Sequence, residues 1–464
     1  MKITVDNLGP LTHAEFELGD ITIICGRNNT GKTYATYATY GFLDYWRSGY
    51  TLDVPSEIIK DVEGKTSATI KLEPHIATSA KYLEDASTEY SGILDKIFAG
   101  KPDLFSSAKF AIQCGTVGTC KSNDIEIKTG PNAKSVVSIH KAHGSNELVV
   151  SLVTGTSEKD IPPRHLIREL ISEAIKTSLF EHVVPRPFMA SAERTGSAIF
   201  QKELDFTRNR LVDLLGEKTA SFHPFKLLGK FTSEYPLAVR KNVDFIRELP
   251  NITNRESFIL KEHPDVLAAF ANIIGGEYKV SRDGEIQYVP TANKRIKLKL
   301  VESSSSVRSM LDIGFYLRHI ARPGDLLMVD EPELNLHPEN QRLVARLFAR
   351  LANLGIKVFI TTHSDYIIKE LNTLIMLGKD SKNTRRIAKA ERYVPQEFLK
   401  ADKLRVYIAE EGLIKKDGHS RKSRCQTLVP ASIDSFLGIE ARSFDTTIND
   451  MNRIQEDLVW GGDE

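Results

Sequence analysis

Residues 26–33 read Gly-Arg-Asn-Asn-Thr-Gly-Lys-Thr, and no other stretch constrains the fold of this chain as tightly. The apolar run Ile21-Thr22-Ile23-Ile24-Cys25 precedes it, and a Tyr- and Ala-rich segment follows to about Arg47, free of proline and broken only by Gly41. The first is short and β-rich, as a buried strand should be, and the second reads as helix, so the local order is strand, glycine loop, helix. G-x-x-x-x-G-K-[ST] in that setting is a phosphate cradle. Its glycines let backbone N–H groups wrap phosphates, the helix N-terminus adds positive potential, Lys32 reaches the β- and γ-phosphates, and the Thr33 hydroxyl can ligate Mg²⁺. Gly26, Arg27, Asn28, Asn29, Thr30, Gly31, Lys32 and Thr33 are therefore the first candidate site residues.

A loop of this kind needs an α/β sheet around it, and 464 residues suffice for two to four domain-sized units. Hydrophobic residues at 41% and charged ones at 27% fit a globular protein rather than a disordered or fibrous one. Lys plus Arg (62) nearly cancels Asp plus Glu (61), so no global field draws the chain to nucleic acid or membrane, and any such contact must be local. Cys25, Cys114, Cys120 and Cys425 form no CxxC pair and read as free thiols. The opening MKITVDNLGPL lacks a basic-then-apolar leader pattern, and no apolar run approaches the roughly 18 residues of a membrane span, so a cytoplasmic protein is expected.

Four regions are expected: 1–190, a first lobe with the phosphate loop and an antiparallel β-layer; 191–302, an inserted helical lobe with a hairpin; 303–375, a return to the core of the first lobe; and 376–464, a C-terminal cap. Residues 55–97 look broadly helical, whereas 108–153 hold short β-like runs separated by Gly, Asn and Ser turns. The hairpin is EYKVS, the turn Arg282-Asp283-Gly284, EIQYVP and then KRIKLKLV. Beyond Ser303 the pattern alternates: helix at 307–320, strand at 326–329, helix at 339–353, strand at 358–361, helix at 366–371. No internal repeat or long heptad run occurs, so an extended coiled-coil arm is not expected.

Two further motifs lie at strand ends in that alternation. Leu326-Leu327-Met328-Val329 leads into Asp330 and Glu331, at the C-terminal edge where open α/β sheets bind ligands. There Asp330 can hold Mg²⁺ while Glu331 polarises an attacking water, since phosphoryl transfer needs charge neutralisation and an oriented nucleophile. The run Val358-Phe359-Ile360-Thr361-Thr362 ends in His363, which as a donor can report the presence of a γ-phosphate.

GRNNTGKT, LLMVDEPELNLHP and TTHSDYIIKEL together resemble the Walker A, Walker B with D-loop, and switch-histidine segments of ATP-binding-cassette ATPases. The likeness is to the SMC and RecF-like branch, especially the stand-alone ATPases grouped as AAA15 or AAA21. It covers about 1–50 and 300–452, including the ending FLGIEARSFDTTINDMN, and implies ATP with Mg²⁺ as ligands. It also implies that the serine-rich signature, Ser304, Ser305 and Ser306 at the start of the helix before Walker B (the signature helix), caps the γ-phosphate bound by a second head, although relatives carry glycine where this chain has Ser306. A Ser-rich helix N-cap would explain the same residues. The stretch from Pro187 to Arg194 resembles a loop that borders the nucleotide, making Glu193 and Arg194 candidate contacts, and Gln201 is a candidate Q-loop glutamine.

On this resemblance the protein is a slow, assembly-dependent ATPase whose ATP-dependent head-to-head association forms a homo-oligomer. It controls a separately encoded effector, a nuclease, as in the PARIS, Septu or retron-associated systems of anti-phage defence. The alternative is a RecF-like clamp on DNA that uses Arg385-Arg386, Lys415-Lys416 and Arg421-Lys422-Ser423-Arg424.

Overall fold

The computed structural model describes residues 1–65, 67–118, 123–129, 134–142, 144–152, 164–199, 235–281, 284–415, 422–434, 438–440 and 450–458. Cys120, Gln201, Arg282, Asp283, Lys416, Arg421 and most of the C-terminal ending that carried part of the resemblance lie outside those residues. Its strands, in chain order, are β1 (Lys2–Leu8), β2 (Leu11–Glu17), β3 (Ile21–Gly26), β4 (Ser67–Lys71), β5 (Lys109–Gln113), β6 (Asn123–Thr129), β7 (Lys134–Lys141) and β8 (Glu147–Leu152). They continue with β9 (Pro187–Ala190), β10 (Gly276–Val280), β11 (Ile286–Pro290), β12 (Leu298–Lys299), β13 (Leu326–Asp330), β14 (Lys357–Thr362), β15 (Leu404–Lys415) and β16 (Lys422–Pro430). Two compact units result: one from Met1–Thr4, Gly41–Ile93 and Lys109–Pro187, the other from Val5–Tyr40, Leu94–Ala108 and Phe188–Glu464.

The first unit holds the expected antiparallel layer, in the order β4-β8-β7-β6. Residues 55–97 are broadly helical as read, with β4 the exception: Ser67-Ala-Thr-Ile-Lys turns Ile70 inward opposite Leu148, and five residues are too few for helical and strand periods to be told apart in sequence. The same unit holds an aromatic cluster, with Phe42 packed on Tyr90 (5.5 Å) and Phe110 (5.0 Å), and Trp46 edge-on to Phe180 (4.9 Å). The helix that follows the phosphate loop, Lys32–Ser48, ends in this unit with carbonyls that have no further turn to accept from. Lys176, almost fully buried, supplies the donors: its ammonium reaches the carbonyls of Trp46 (2.7 Å), Arg47 (3.2 Å) and Tyr50 (2.8 Å), with Glu173 at 3.1 Å as counter-ion. A cation there also meets the negative end of the helix dipole.

The second unit is built on a six-stranded mixed sheet ordered β16-β15-β3-β14-β13-β9. β15, β3, β14 and β13 run parallel, and β16 returns antiparallel to β15. Every residue of β3 and of β13 is buried, as in a sheet covered on both faces, and this explains why both read as unbroken apolar runs. The helices Pro338–Asn353 and Asp365–Leu377 add Val344, Leu347, Phe348, Leu351, Ile367 and Leu371 to that core. At about 1.5–3 kcal/mol per fully buried aliphatic or aromatic side chain, this layer holds the sheet edge in place.

β15 and β16 fall in the region read as a separate cap, yet they extend the main sheet, with Ile408 opposite Cys25 and Ala409 opposite Gly26. The hairpin β10–β11 forms as read, with Tyr278 opposite Tyr288, while KRIKLKLV contributes only the two-residue β12. The single helix expected at 307–320 is three pieces: Ser305–Ser309, Leu311–Phe315 and a π-helical turn at Tyr316–Ile320. Gly314 lies within the second piece, so tightly packed that a Cβ would stand 2.7 Å from the Tyr278 ring and 2.8 Å from Phe270. Among the described residues no helix is long and apolar enough to cross a membrane.

Candidate nucleotide-binding site

Neighbouring parallel strands bring the three motifs to one edge. Cys25 pairs with Thr362 and Asp330 with Thr361, so the phosphate loop, His363 and Glu331 all leave the sheet at its C-terminal side, side by side. The loop depends on its glycines: Gly26 has φ +136° and Gly31 φ +96°, and a Cβ on them would lie 2.7 Å from the Ala409 carbonyl oxygen and 2.6 Å from Leu11 Cγ. Asn29 takes the left-handed region at φ +62°, which asparagine tolerates. Thr30 donates to the Arg27 carbonyl (2.8 Å) and Gln426, on β16, donates to the Thr30 carbonyl (3.3 Å), so the loop is held from two sides. Arg27, Asn28, Asn29 and Thr33 are exposed, whereas Lys32 is buried and folds back onto its own loop, donating to the carbonyls of Gly26 (2.9 Å) and Arg27 (2.7 Å). Burial pushes its ammonium below the usual lysine range, and the charges of Glu331 and Asp330 pull the other way.

Asp330 is buried, its Oδ1 accepts from the Thr361 hydroxyl, and its Oδ2 has no hydrogen-bond partner among the described residues. Burial pushes its carboxyl up to about 6, against the Thr361 hydrogen bond. Glu331 sits at φ +52°, a left-handed conformation costly for a residue that is not glycine, and its N–H reaches the Thr361 carbonyl at 3.2 Å. Glu333 takes one oxygen to the Thr362 hydroxyl (2.9 Å) and the His363 N–H (2.8 Å); its other oxygen is unpartnered among the described residues, and burial raises its carboxyl. His363 Nδ1 stands 3.4 Å from Glu333 and 3.7 Å from Glu331, and the ring is 45% exposed. Among the described residues no group of three or more His, Cys, Asp or Glu could hold a metal by itself. The unpartnered oxygen of Asp330, beside a phosphate loop with an exposed Thr33, suits a hard cation that completes its shell with phosphate oxygens.

The signature serines divide between the two readings made of them. Ser304 is the N-cap of the helix Ser305–Ser309, accepting from the Val307 N–H, and its hydroxyl lies 2.8 Å from that of Ser306. Ser304 and Ser305 are nonetheless exposed and Ser306 half-buried, which leaves them accessible from outside the chain. Glu193 is exposed and accepts from the Tyr37 hydroxyl at 2.8 Å. Arg194 does not open toward the phosphate loop as a ligand contact would: it is 1% exposed and spends its guanidinium on backbone carbonyls, including those of Asp330 and Glu331.

Several residues of the site were not legible beforehand. Glu333 lies in the same DEPEL run as Glu331, and that spacing was the available signal. Gln341 links the D-loop to the switch segment, donating to the Leu336 carbonyl (2.9 Å) and accepting from the Ser364 hydroxyl (2.5 Å), and nothing in its helical surroundings marks it. Asp312 is 1% exposed with neither oxygen hydrogen-bonded among the described residues. Burial lifts its carboxyl to about 7, moderated by the Arg194 charge. The unfolded chain releases that proton near the ordinary carboxylate value of 3.8, so between roughly pH 4 and 7 the folded state binds the extra proton and loses stability as pH rises. Asp312→Asn should therefore match the parent in thermal melts near pH 4 and exceed it increasingly up to pH 7. Parallel melting curves across that range would contradict the assignment.

Residues 216–368 match the family model described as an AAA ATPase domain, a stretch that contains the signature, Walker B and switch segments. No curated protein matches the sequence. Among solved structures, the chain is similar to the SMC head domain from Thermotoga maritima at 10% identity, over 93% of this chain and 98% of that one, with a TM-score of 0.31. An SMC head domain with an extended coiled coil, bound to the C-terminal domain of ScpA and derived from Pyrococcus furiosus, aligns at 11% identity over 98% of both chains, with a TM-score of 0.31. An SMC head bound to the C-winged helix domain of ScpA aligns at 12% over 93% of this chain and 97% of that one, TM-score 0.33. With scores this low, the fold rests on the strand order and motif placement described above.

Proposed function

With an ATPase domain matched over 216–368 and the motifs of an SMC-like ATP-binding-cassette ATPase at one sheet edge, we infer that the chain binds ATP with Mg²⁺ and hydrolyses it when two copies meet. The observation that carries this reading is the register of β3, β14 and β13, which sets Lys32, Asp330, Glu331 and His363 around one edge. Gly26 to Thr33 wrap the phosphates, and Lys32 turns from its own carbonyls to the β- and γ-phosphates. Thr33 and Asp330 would hold Mg²⁺, which neutralises charge that develops on the transferred phosphoryl group. Glu331 orients the attacking water, and His363 donates to the γ-phosphate while the Glu333 carboxylate fixes its backbone.

Ser304 and Ser305 point to a site completed in trans, because they are exposed on the helix that leads to Walker B and so can meet the γ-phosphate held by another copy. From the sequence resemblance comes the finer proposal that ATP-gated pairing controls a separately encoded nuclease effector in anti-phage defence. The DNA-clamp alternative is weaker on charge: Arg385 is ion-paired with Asp380, and Arg424 with Glu411 at 2.8 Å. Turnover per protomer should rise with protein concentration, and a non-hydrolysable ATP analogue, but not ADP, should produce a dimer or larger species in sedimentation. A flat specific activity together with a monomer under both nucleotides would overturn assembly-dependent hydrolysis.

A further inference from the structure

We propose that Arg194 is a positioning residue that couples the signature helix to the peptide of Glu331, so that seating of the signature helix sets the carboxylate that orients water. The proposal rests on the ATPase reading above. Arg194 is the largest fully buried side chain among the described residues. Its guanidinium donates from Nε to the Ser309 carbonyl (2.6 Å), from Nη1 to the carbonyls of Ser191 (2.8 Å) and Asp330 (2.7 Å), and from Nη2 to the Glu331 carbonyl (2.9 Å). Those acceptors belong to three segments distant in sequence: the turn after β9, the last residue of the signature helix, and the end of β13. Only a planar fork with donors fixed in direction can hold all three at once.

The Glu331 end of this fork is strained. The left-handed region is unfavourable for a non-glycine residue, and such a conformation persists only where surroundings over-determine it. Here the Glu331 N–H is held by the Thr361 carbonyl and its carbonyl by Arg194, one on each side of the strained Cα. The other end is a short element that reaches the surface. The signature helix is five residues long, with exposed serines at its start and Ser309 at its end. Ser309 also donates through its hydroxyl to the Leu334 carbonyl (3.1 Å), and Tyr278 of the hairpin donates to the Val307 carbonyl. A second copy pressing on Ser304 and Ser305 thus acts on a short element whose far end is bonded to Arg194. Asn242 braces the near strand, accepting from the Ser191 N–H (2.9 Å) and donating to the Met189 carbonyl (2.5 Å), so the segment that leads into Arg194 has side-chain support of its own.

The test is Arg194→Lys, which keeps the charge and removes the fork, measured beside the parent and Glu331→Gln for ATP affinity, KM, kcat, melting and the dependence of turnover on concentration. The expected result is ATP affinity within about threefold of the parent, kcat lower by about 30-fold or more, and turnover that no longer rises with concentration although the ATP-bound oligomer still forms. A kcat within threefold of the parent, or a loss of kcat matched by equal losses of affinity and melting temperature, overturns the proposal. If Arg194→Lys shows no cooperative melt, Arg194→Gln takes its place under the same criteria, and failure of both to fold makes the residue structural and ends the proposal. A parent no more active than Glu331→Gln would instead defeat the ATPase reading itself.

Discussion

Glu331→Gln is expected to lower kcat for ATP by at least about 100-fold while leaving ATP affinity within about threefold of the parent. The carboxylate projects from the end of β13 next to His363, with Oε1 3.7 Å from Nδ1, and it is 26% exposed, so it stands where water and nucleotide can both reach it. Glutamine keeps the shape and the left-handed backbone at φ +52° but cannot take up a proton from an attacking water. The phosphate loop, Asp330 and the signature serines remain, so the association that ATP drives should persist and outlast the parent's. Radiolabelled ATP turnover, equilibrium binding and gel filtration with ATP separate the three quantities. Parental turnover would show that another group orients the water, and the neighbouring Glu333, whose second oxygen lacks a partner among the described residues, would be the first to consider.

The sequence carries the phosphate loop, Walker B and the switch histidine clearly because each is a fixed spacing attached to an apolar run, and each run is a fully buried strand. Their meeting at one edge was expected from the α/β rule for ligand sites, and the register Thr362–Cys25 and Asp330–Thr361 is what the fold adds. The place of β15 was not legible. Leu404-Arg-Val-Tyr-Ile-Ala has ordinary strand chemistry, but nothing local says that it pairs with a strand some 380 residues earlier rather than with a cap of its own. Arg194 shows a different limit: all four of its acceptors are backbone carbonyls, which every residue offers, so no complementary side chain marks the contact in advance. Residues 307–320 have the composition of one helix, and neither the interruption at Met310 nor the π-helical turn from Tyr316 is marked by a proline or glycine at that position.

Lys32→Ala is expected to weaken ATP binding by at least about 100-fold and, with it, to remove both turnover and ATP-driven association. Lys32 is the one cation of the phosphate loop that is buried, and Glu331, Asp330 and Glu333 all act on it electrostatically. Without it a triphosphate would enter a site of three carboxylates with no buried loop cation to offset them, so the loss falls on binding before chemistry begins. The hydrogen bonds that Lys32 makes to Gly26 and Arg27 when the loop is folded back are exchanged for phosphate contacts, and the alanine variant forfeits both sets. Linkage gives a measure independent of turnover: ligand at 100 times its Kd stabilises a folded protein by about 2.7 kcal/mol. Saturating Mg-ATP should therefore raise the melting temperature of the parent and of Glu331→Gln but not of Lys32→Ala. Combining Lys32→Ala with Glu331→Gln should abolish the trapped oligomer, because a clamp that closes on ATP has nothing to close on once the loop no longer holds it. An equal ATP-dependent shift in Lys32→Ala and the parent would place the nucleotide elsewhere on the chain.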